Sequence, residues 1–211
     1  MKIIKIAKKG MNNVEIHFDD GNALILSYEI FLKNGLRKND EVSESHFSFL
    51  KSENEKYMIK QKSYNYLARR LHSEKELRLK LLKNRYNTDL IDEALDELKK
   101  LNYLDDEKFA YEFVEEKSKR GWGKNKIKAA LISRGLQSKI INKVLDEEID
   151  NALEYEKAFE LANKKLRILS GRNFEVIKLK QKINAFLVSK GFDFDVIREV
   201  VDKLKLQKDD G

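Results

Sequence analysis

The sequence contains no cysteine and no proline among its 211 residues. Without cysteine there are no disulfide bonds, no thiolate metal ligands and no cysteine nucleophile. Without proline, helices can run uninterrupted, and their ends must be set by capping side chains and by the nine glycines. No apolar run approaches the roughly 20 residues that cross a membrane. Residues 1–6 also lack the apolar stretch of a secretory signal. We therefore expect a cytoplasmic protein.

Charge, by contrast, is abundant and unevenly distributed. Basic residues number 43 and acidic residues 36, which gives a net charge of +7. Residues 1–50 hold seven of each sign, so the whole excess lies beyond residue 50. This excess of positive charge favours a polyanionic partner, such as nucleic acid or a nucleoprotein. A solvated lysine-rich surface would give the same net charge.

The first fifty residues have a β-type pattern. Residues 2–7 and 14–18 are rich in β-formers, and a turn signal at residues 19–22 is followed by another apolar segment. This predicts a small β-hairpin-containing unit over residues 1–52. A short helix should follow from Ser27 and end at residues 34–35. Polar residues then predict a linker near residues 51–54.

Internal repetition dominates the rest of the chain. Five apolar positions recur when the numbering is shifted by about 50 and about 106 residues. They are Leu77, Leu81, Tyr86, Ile91 and Leu95; Ile127, Leu131, Leu136, Ile141 and Leu145; and Ile183, Leu187, Phe192, Ile197 and Val201. The residue before the third position is Arg85, Gly135 or Gly191, and glycine suits the left-handed residue that ends a helix. In the first repeat we expect Asn84 to supply that conformation.

This repetition predicts a mainly α-helical fold. Each repeat consists of a longer helix followed by helix, short turn and helix. We predict three tandem three-helix repeats, at residues 53–104, 105–149 and 150–211, which stack in an elongated solenoid-like array. Ser73 with Glu76 forms a capping-box pattern, and Asp105 occupies another helix start.

One stretch, residues 117–145, contains nine bases and no acid. A polyanion that binds here would release counterions. The alternative is that these bases pair with acids of neighbouring helices, such as Glu115, Glu116 and Asp146. The candidate contacts in this stretch are Lys117, Lys119, Arg120, Trp122, Lys124, Lys126, Lys128 and Arg134.

Several of these features have two interpretations. Trp122, between two glycines, either contacts a partner or folds back onto the core. In a second basic cluster we select Arg69 and Arg70 as candidate contacts, although Arg70 would equally well bond helix-terminal carbonyls. A third cluster is expected to be a solvated helix end. Its members are Lys164, Lys165, Arg167 and Arg172.

Three segments of the sequence resemble the repeat signatures of the RecX family. The first, in residues 69–81, is Arg-Arg-Leu-His-Ser-Glu-Lys-Glu-Leu followed by Lys-Leu. The second, in residues 103–110, is Tyr-Leu-Asp-Asp and then Phe-Ala. The third, in residues 121–136, is Gly-Trp-Gly and then Arg-Gly-Leu. Their order and spacing both agree, over roughly residues 57–204. Asn102 departs from the glycine that many relatives have before the second signature.

The resemblance implies a modulator of RecA, the ATP-driven strand-exchange protein of bacteria. Such proteins lie in the groove of the RecA–DNA filament, inhibit its activities and have no active site or cofactor. The expected partners are therefore the RecA filament and the DNA within it, and not a membrane or a small substrate. Two alternatives remain: a general DNA-binding helical protein that coats DNA, and a solenoid scaffold for other proteins.

The residues themselves show no catalytic pattern. His17, His46 and His72 lack metal-ligand spacing. Residues 121–124 lack the spacing of a phosphate-binding loop. Adjacent acids at residues 105–106 are more typical of a helix cap than of a nuclease site. We expect no enzyme activity, metal site or cofactor.

Overall fold

The protein is described here by a computed structural model that covers residues 1–170 and 174–204. Contacts group the chain into two compact units, Met1–Leu104 and Asp105–Gly211. The described residues form three β-strands and ten α-helices. Within them, none of the helices combines the length and the apolar character needed to cross a membrane. The predicted fold class, mainly helical with a small β unit first, is confirmed.

The chain begins with a three-stranded antiparallel sheet in the order β1-β2-β3. Its strands are β1 (Ile3–Lys9), β2 (Asn13–Phe18) and β3 (Ala23–Ser27). Gly21 has φ +86° in the turn before β3, a conformation that favours glycine. Alternate residues of β2 are buried, so one face of the sheet packs on the core. The predicted hairpin and turn are confirmed.

Two helices cover this sheet. Helix α1 (Tyr28–Lys33) starts where predicted, with the Ser27 hydroxyl accepting from the Ile30 amide. Helix α2 (Glu44–Leu67) runs straight through the segment in which we predicted a linker, so that prediction is wrong. The polar side chain of Asn54 has a structural role. Its Oδ1 accepts from the Ser27 amide at 2.7 Å, and its Nδ2 donates to the Ile25 carbonyl at 3.2 Å. These bonds tie α2 to the outer strand of the sheet.

Three helix triplets follow the sheet. The first is α2 with α3 (Glu74–Leu82) and α4 (Thr88–Lys100); the second is α5 (Asp106–Lys119), α6 (Lys124–Ser133) and α7 (Ser138–Glu148); the third is α8 (Asn151–Ser170), α9 (Val176–Lys190) and α10 (Phe194–Lys203). We call them repeats 1, 2 and 3. Of the fifteen recurring apolar side chains, Tyr86 is half-buried and the others are buried. The four-part division of the chain stays a prediction, since contacts define only the two units given above.

Helix starts follow the predicted caps. The Ser73 hydroxyl accepts from the Glu76 amide at 3.2 Å, and the Asp105 carboxylate accepts from the amides of Glu107 and Lys108. The adjacent acids at residues 105–106 thus open a helix. These bonds satisfy amides that the first helical turn leaves without partners.

The turn inside each repeat uses one left-handed residue. Gly135 and Gly191 have φ +84° and +86°, and the equivalent residue in repeat 1 is Arg85 itself, with φ +62°. Our expectation that Asn84 would take this conformation is wrong, because its side-chain amide bonds the Lys80 carbonyl at 2.8 Å and caps the end of α3. Repeat 1 therefore places a side chain where the backbone favours glycine.

We predict that Arg85→Gly stabilises unit 1. A left-handed non-glycine residue costs about 1–2 kcal/mol, and the extra flexibility of glycine in the unfolded chain offsets about 0.5–1 kcal/mol. A net gain of about 0.5–1 kcal/mol should raise the urea midpoint without changing the slope.

The matched control is Lys83→Gly, which also removes one exposed base but from a right-handed position, φ −62°. It should lower the midpoint, because glycine there adds flexibility and relieves no strain. A lower midpoint for Arg85→Gly would contradict the strain argument.

Candidate polyanion interface

The basic stretch of residues 117–145 spans the end of α5, the whole of α6 and most of α7. Glycines at 121 and 123 form the turn between α5 and α6, and Gly121 has the left-handed φ of +75°. This turn joins the C-terminal end of α5 to the N-terminal end of α6. The structure thus brings most of the candidate residues together, but it gives them different environments.

Two of the bases are neutralised by the preceding helical turn. Lys119 lies 2.5 Å from Glu115, and Arg120 lies 2.9 Å from Glu116. The hydrogen bond from Lys119 lowers the pKa of the Glu115 carboxyl. Both cations are largely exposed, and such exposed pairs are weak and screened by salt. They can exchange a carboxylate for another anion at little cost.

Lys117 and Trp122 pack against the buried Phe113 ring of repeat 2, and Lys117 also forms an ion pair with Glu116 at 2.9 Å. The Trp122 ring packs edge-on against Phe113, with centroids 6.5 Å apart. The Lys117 ammonium lies 5.0 Å from the Phe113 ring and 5.6 Å from the Trp122 ring, and its side chain is only 14% exposed. Of the two interpretations of Trp122, the one in which it folds back onto the core is what the structure displays.

The three lysines of α6 also differ in their contacts. Lys124 forms an ion pair with Asp146 of α7 at 3.0 Å, as predicted by the alternative in which these bases pair with acids of neighbouring helices. Lys126 donates to the Ser189 carbonyl at the end of α9, also at 3.0 Å. Lys128 is exposed and, among the described residues, has no carboxylate within 4 Å. Of these three lysines, only Lys128 has a side chain that forms neither an ion pair nor a hydrogen bond with the described residues.

Arg134 stabilises the end of α6. Its guanidinium group lies 4.6 Å from the Phe113 ring centroid and donates to the Ala130 carbonyl at 2.9 Å. Cations at a helix C-terminus interact favourably with the last carbonyls. A structural role is thus visible for Arg134, as it is for Lys117 and Lys126.

Arg69 and Arg70 lie in the other unit, after the end of α2. Arg70 donates to the Leu71 carbonyl at 2.7 Å and to the Glu76 carboxylate at 2.9 Å. The Leu71 carbonyl lies in the loop between α2 and α3 and not at a helix end, so the bond differs from the predicted one, and the ion pair with Glu76 was not predicted. Arg69 is exposed, and the described residues offer its side chain no ionic partner.

A close backbone contact joins repeats 2 and 3 within the second unit. The Gly123 amide donates to the Lys190 carbonyl at 2.9 Å, and the Asn125 amide donates to the Gly191 carbonyl at 3.0 Å. A Cβ atom added to Gly123 would lie 2.5 Å from the backbone of Gly191, and one added to Gly191 would lie 2.3 Å from the Lys126 Cβ. We call this contact the glycine junction.

A buried carboxylate completes the junction. Glu154 of α8 is 3% exposed, and its Oε1 accepts from the Lys124 amide at 2.8 Å. It thereby caps α6 in place of Gly123, which has no side chain to do so. Burial raises the pKa of the Glu154 carboxyl, and the bond from the Lys124 amide partly opposes this.

Comparison with known proteins places this arrangement in a family. Models described as the first, second and third three-helix domains of RecX match residues 60–98, 105–145 and 152–201. A curated protein named "Regulatory protein RecX" from Clostridium perfringens is 33% identical over 201 residues, which cover 95% of this chain and 94% of that protein. This chain belongs to the RecX family.

Further relatives give the same result. A regulatory protein RecX from Clostridium botulinum is 32% identical, with 94% of this chain and 92% of the relative covered. A crystal structure titled as regulatory protein RecX has the same fold, with a TM-score of 0.71, 22% identity and coverage of 96% and 99%. The crystal structure of RecX from Lactobacillus salivarius has a TM-score of 0.63 at 26% identity, over 71% of this chain and 96% of that one.

Two cations of repeat 3 were not selected as candidate contacts from the sequence. Lys165 of α8 and Lys190 of α9 both lie over the Phe186 ring, at 5.4 and 5.6 Å. Lys165 was predicted to belong to a solvated helix end, but it is half-buried and contacts a ring. Arg172, predicted for the same helix end, lies outside the described residues. The signal that was available is that α9 (Val176–Lys190) contains no acidic residue.

The RecX chain displays no metal-binding cluster in its described parts. Within residues 1–170 and 174–204, no three histidine or acidic side chains are arranged to hold an ion. His72 is instead a buried structural residue of repeat 1, 2% exposed. Its Nδ1 lies 3.0 Å from the Arg70 carbonyl, and its Nε2 lies 2.6 Å from the Lys80 ammonium. These contacts fit a neutral ring that donates from Nδ1 and accepts at Nε2.

We predict that unit 1 loses stability in mild acid through His72. Burial, followed by the charge of Arg70, lowers the pKa of His72 below its usual 6.5. The unfolded chain therefore binds a proton as the pH falls through about 6.5, while the folded chain does not. The contribution is constant above that pH, and between 6.5 and the lowered pKa the free energy of unfolding falls by up to about 1.4 kcal/mol per pH unit.

The measurement is urea unfolding at pH 7.5 and pH 5.5, with His72→Gln as the matched variant. Glutamine can donate to the Arg70 carbonyl and accept from Lys80 but does not titrate. It should show the smaller difference between the two pH values. Equal differences in both proteins would remove His72 as the cause.

Proposed function

We propose that this chain is a non-catalytic regulator that binds the RecA nucleoprotein filament and inhibits its recombinase, ATPase and co-protease activities. In this role it would modulate DNA repair and the SOS response in the cytoplasm. Membership of the RecX family is the observation that carries the proposal, since three RecX helical domains match successive parts of the chain.

The proposed mechanism is occupancy of the filament by repeated helical modules. No covalent chemistry is required, and the ATP hydrolysis is that of RecA. Basic side chains of repeats 1 and 2 would meet the acidic surfaces of the nucleoprotein. Arg69 and Lys128 suit this role because they are exposed and have no ionic partner in the described residues. Lys119 and Arg120 suit it because their exposed ion pairs are easily exchanged.

The remaining candidate residues would act differently. Lys117, Lys126 and Arg134 are held against aromatic rings or carbonyl groups. Lys124 is held by Asp146, and Arg70 by Glu76. We propose that these five shape the surface and contribute to its positive potential, and that their loss would weaken binding partly through folding.

A second function, coating of DNA by a general helical binding protein, requires no RecA. The basic stretch of repeat 2 is the observation that favours it. The two functions differ in stoichiometry, because coating needs enough protein to cover the strand.

The test is the DNA-dependent ATPase of RecA on preformed filaments, titrated with this protein well below the RecA concentration. A progressive loss of hydrolysis at substoichiometric ratios is expected, since a regulator acts on the filament rather than on free strands. Lys128→Glu with Arg69→Glu should shift the inhibition curve to higher protein concentration.

The matched control reverses two cations that already have partners and are not candidate contacts, Lys56→Glu with Lys143→Glu, which pair with Glu93 at 2.8 Å and Glu107 at 2.5 Å. It should shift the curve less. Inhibition that appears only when the protein is abundant enough to cover the DNA would contradict the proposal and support coating.

A further inference from the structure

Two kinds of contact hold lysines of the second unit, and Lys117 and Lys203 have both. Some are neutralised by a carboxylate, such as Lys119 by Glu115 and Lys143 by Glu107. Others are held over an aromatic ring. The ring-held group includes Lys182, 4.7 Å from the Phe174 ring, and both Lys165 and Lys190 over the Phe186 ring. Within the described residues, no carboxylate oxygen lies within 4 Å of these three ammonium groups.

The two kinds differ in the charge that they present. A carboxylate cancels the charge of the lysine that it holds. An aromatic ring attracts an ammonium group through its quadrupole but carries no net charge, so the full positive charge remains. The ring also restrains a flexible side chain, which lowers the entropy that is lost when an anion binds. Ring-held lysines are therefore both ordered and charged.

These lysines follow one face of α9. Lys182, Phe186 and Lys190 are spaced four residues apart, so they lie in a row along the helix. The row from Lys182 to Lys190 covers about 12 Å along the axis. Phe186 is half-buried between Lys190 of the same helix and Lys165 of α8. Two helices thus contribute to one surface, and α9 has no acid to oppose it.

The glycine junction connects this surface to repeat 2. The Lys190 carbonyl accepts from the Gly123 amide, and the neighbouring Ser189 carbonyl accepts from the Lys126 ammonium. Lys126 is itself ring-held, 4.8 Å from the Trp122 ring. The α6 helix that begins here also has no acid. The cationic surface therefore continues from α9 onto α6.

We propose that Lys165, Lys182 and Lys190 form a phosphate-binding surface that contacts the phosphodiester backbone of nucleic acid directly. The inference rests on the proposed function and deepens it, because it assigns these residues of repeat 3 to the DNA of the filament rather than to its protein. Phosphates suit the surface, since they are closely spaced charges along a chain and ammonium groups bind them as point charges. The rings hold the lysines and do not themselves contact a base.

The test is fluorescence anisotropy of a labelled single-stranded oligonucleotide with the full chain, without RecA, at several salt concentrations. The logarithm of the binding constant should fall linearly with the logarithm of salt, with a slope of about 0.7 per phosphate contacted. The variant Lys165→Gln, Lys182→Gln, Lys190→Gln removes three contacts. Its slope should be smaller by about 2, and its affinity at 0.1 M salt should be lower on the order of 100-fold.

A matched triple variant removes the same charge from lysines that are paired with carboxylates and are not candidate contacts: Lys56→Gln, Lys99→Gln, Lys143→Gln, paired with Glu93, Asp96 and Glu107. Its slope should change by less than about 0.5, because these cations are already neutralised. The charge-retaining variant with arginine at 165, 182 and 190 should keep the wild-type slope. Circular dichroism establishes that each variant folds, and if the glutamine triple does not, each single variant must lower the slope by about 0.7.

Equal slopes for the two glutamine triples would overturn the inference, as would a wild-type protein that does not bind the oligonucleotide at low salt. The RecA ATPase assay separates this failure from failure of the proposed function. Inhibition of RecA without oligonucleotide binding would leave the regulator intact and assign the surface to acidic protein. Absence of both would overturn the two proposals together.

Discussion

The contact between Gly123 and Gly191 is the constraint on which the second unit depends. Two backbone segments approach so closely that neither glycine has room for a Cβ atom, and the amides of Gly123 and Asn125 donate to the carbonyls of Lys190 and Gly191 at 2.9 and 3.0 Å. At the same place, the buried Glu154 carboxylate of α8 accepts from the Lys124 amide and so caps the N-terminus of α6, although the two helices belong to different repeats. The glycine contact also brings the start of α6 to the end of α9. Lys126 of α6 therefore lies close enough to the end of α9 to donate to the Ser189 carbonyl.

Local and tertiary contacts together explain why basic side chains in one stretch have different roles. Lys117, Lys126 and Arg134 contact aromatic rings or helix-terminal carbonyls, and Lys117 also pairs with Glu116, so these cations stabilise the unit. Carboxylates one helical turn away neutralise Lys119 and Arg120. What remains for a partner is a smaller set than the sequence suggests. The charge that matters for binding is the charge left after these internal contacts, and that depends on tertiary structure.

The recurring apolar positions and their glycines predicted the three helical repeats, because a buried stripe must repeat with the helical period. Caps such as Ser73 and Asp105 were predictable, since they depend on local bonds alone. The continuous helix α2 was not, because Asn54 finds its partners on a strand nearly thirty residues earlier. The ring-held lysines were also missed. Phe186 lies between lysines of two helices, and that pairing exists only once α8 and α9 pack together.

The most direct test of this account is the alanine substitution of Gly123. Its φ of −85° suits any residue, so Gly123→Ala introduces the steric contact without left-handed strain. The only tryptophan, Trp122, is adjacent and reports unfolding by fluorescence. Alanine at a helix cap costs up to about 1 kcal/mol relative to glycine, whereas overpacking adds about 1–3 kcal/mol. We predict a loss of more than about 1 and up to about 4 kcal/mol in the free energy of unfolding. A loss within about 1 kcal/mol of wild type would contradict the central role of the glycine junction.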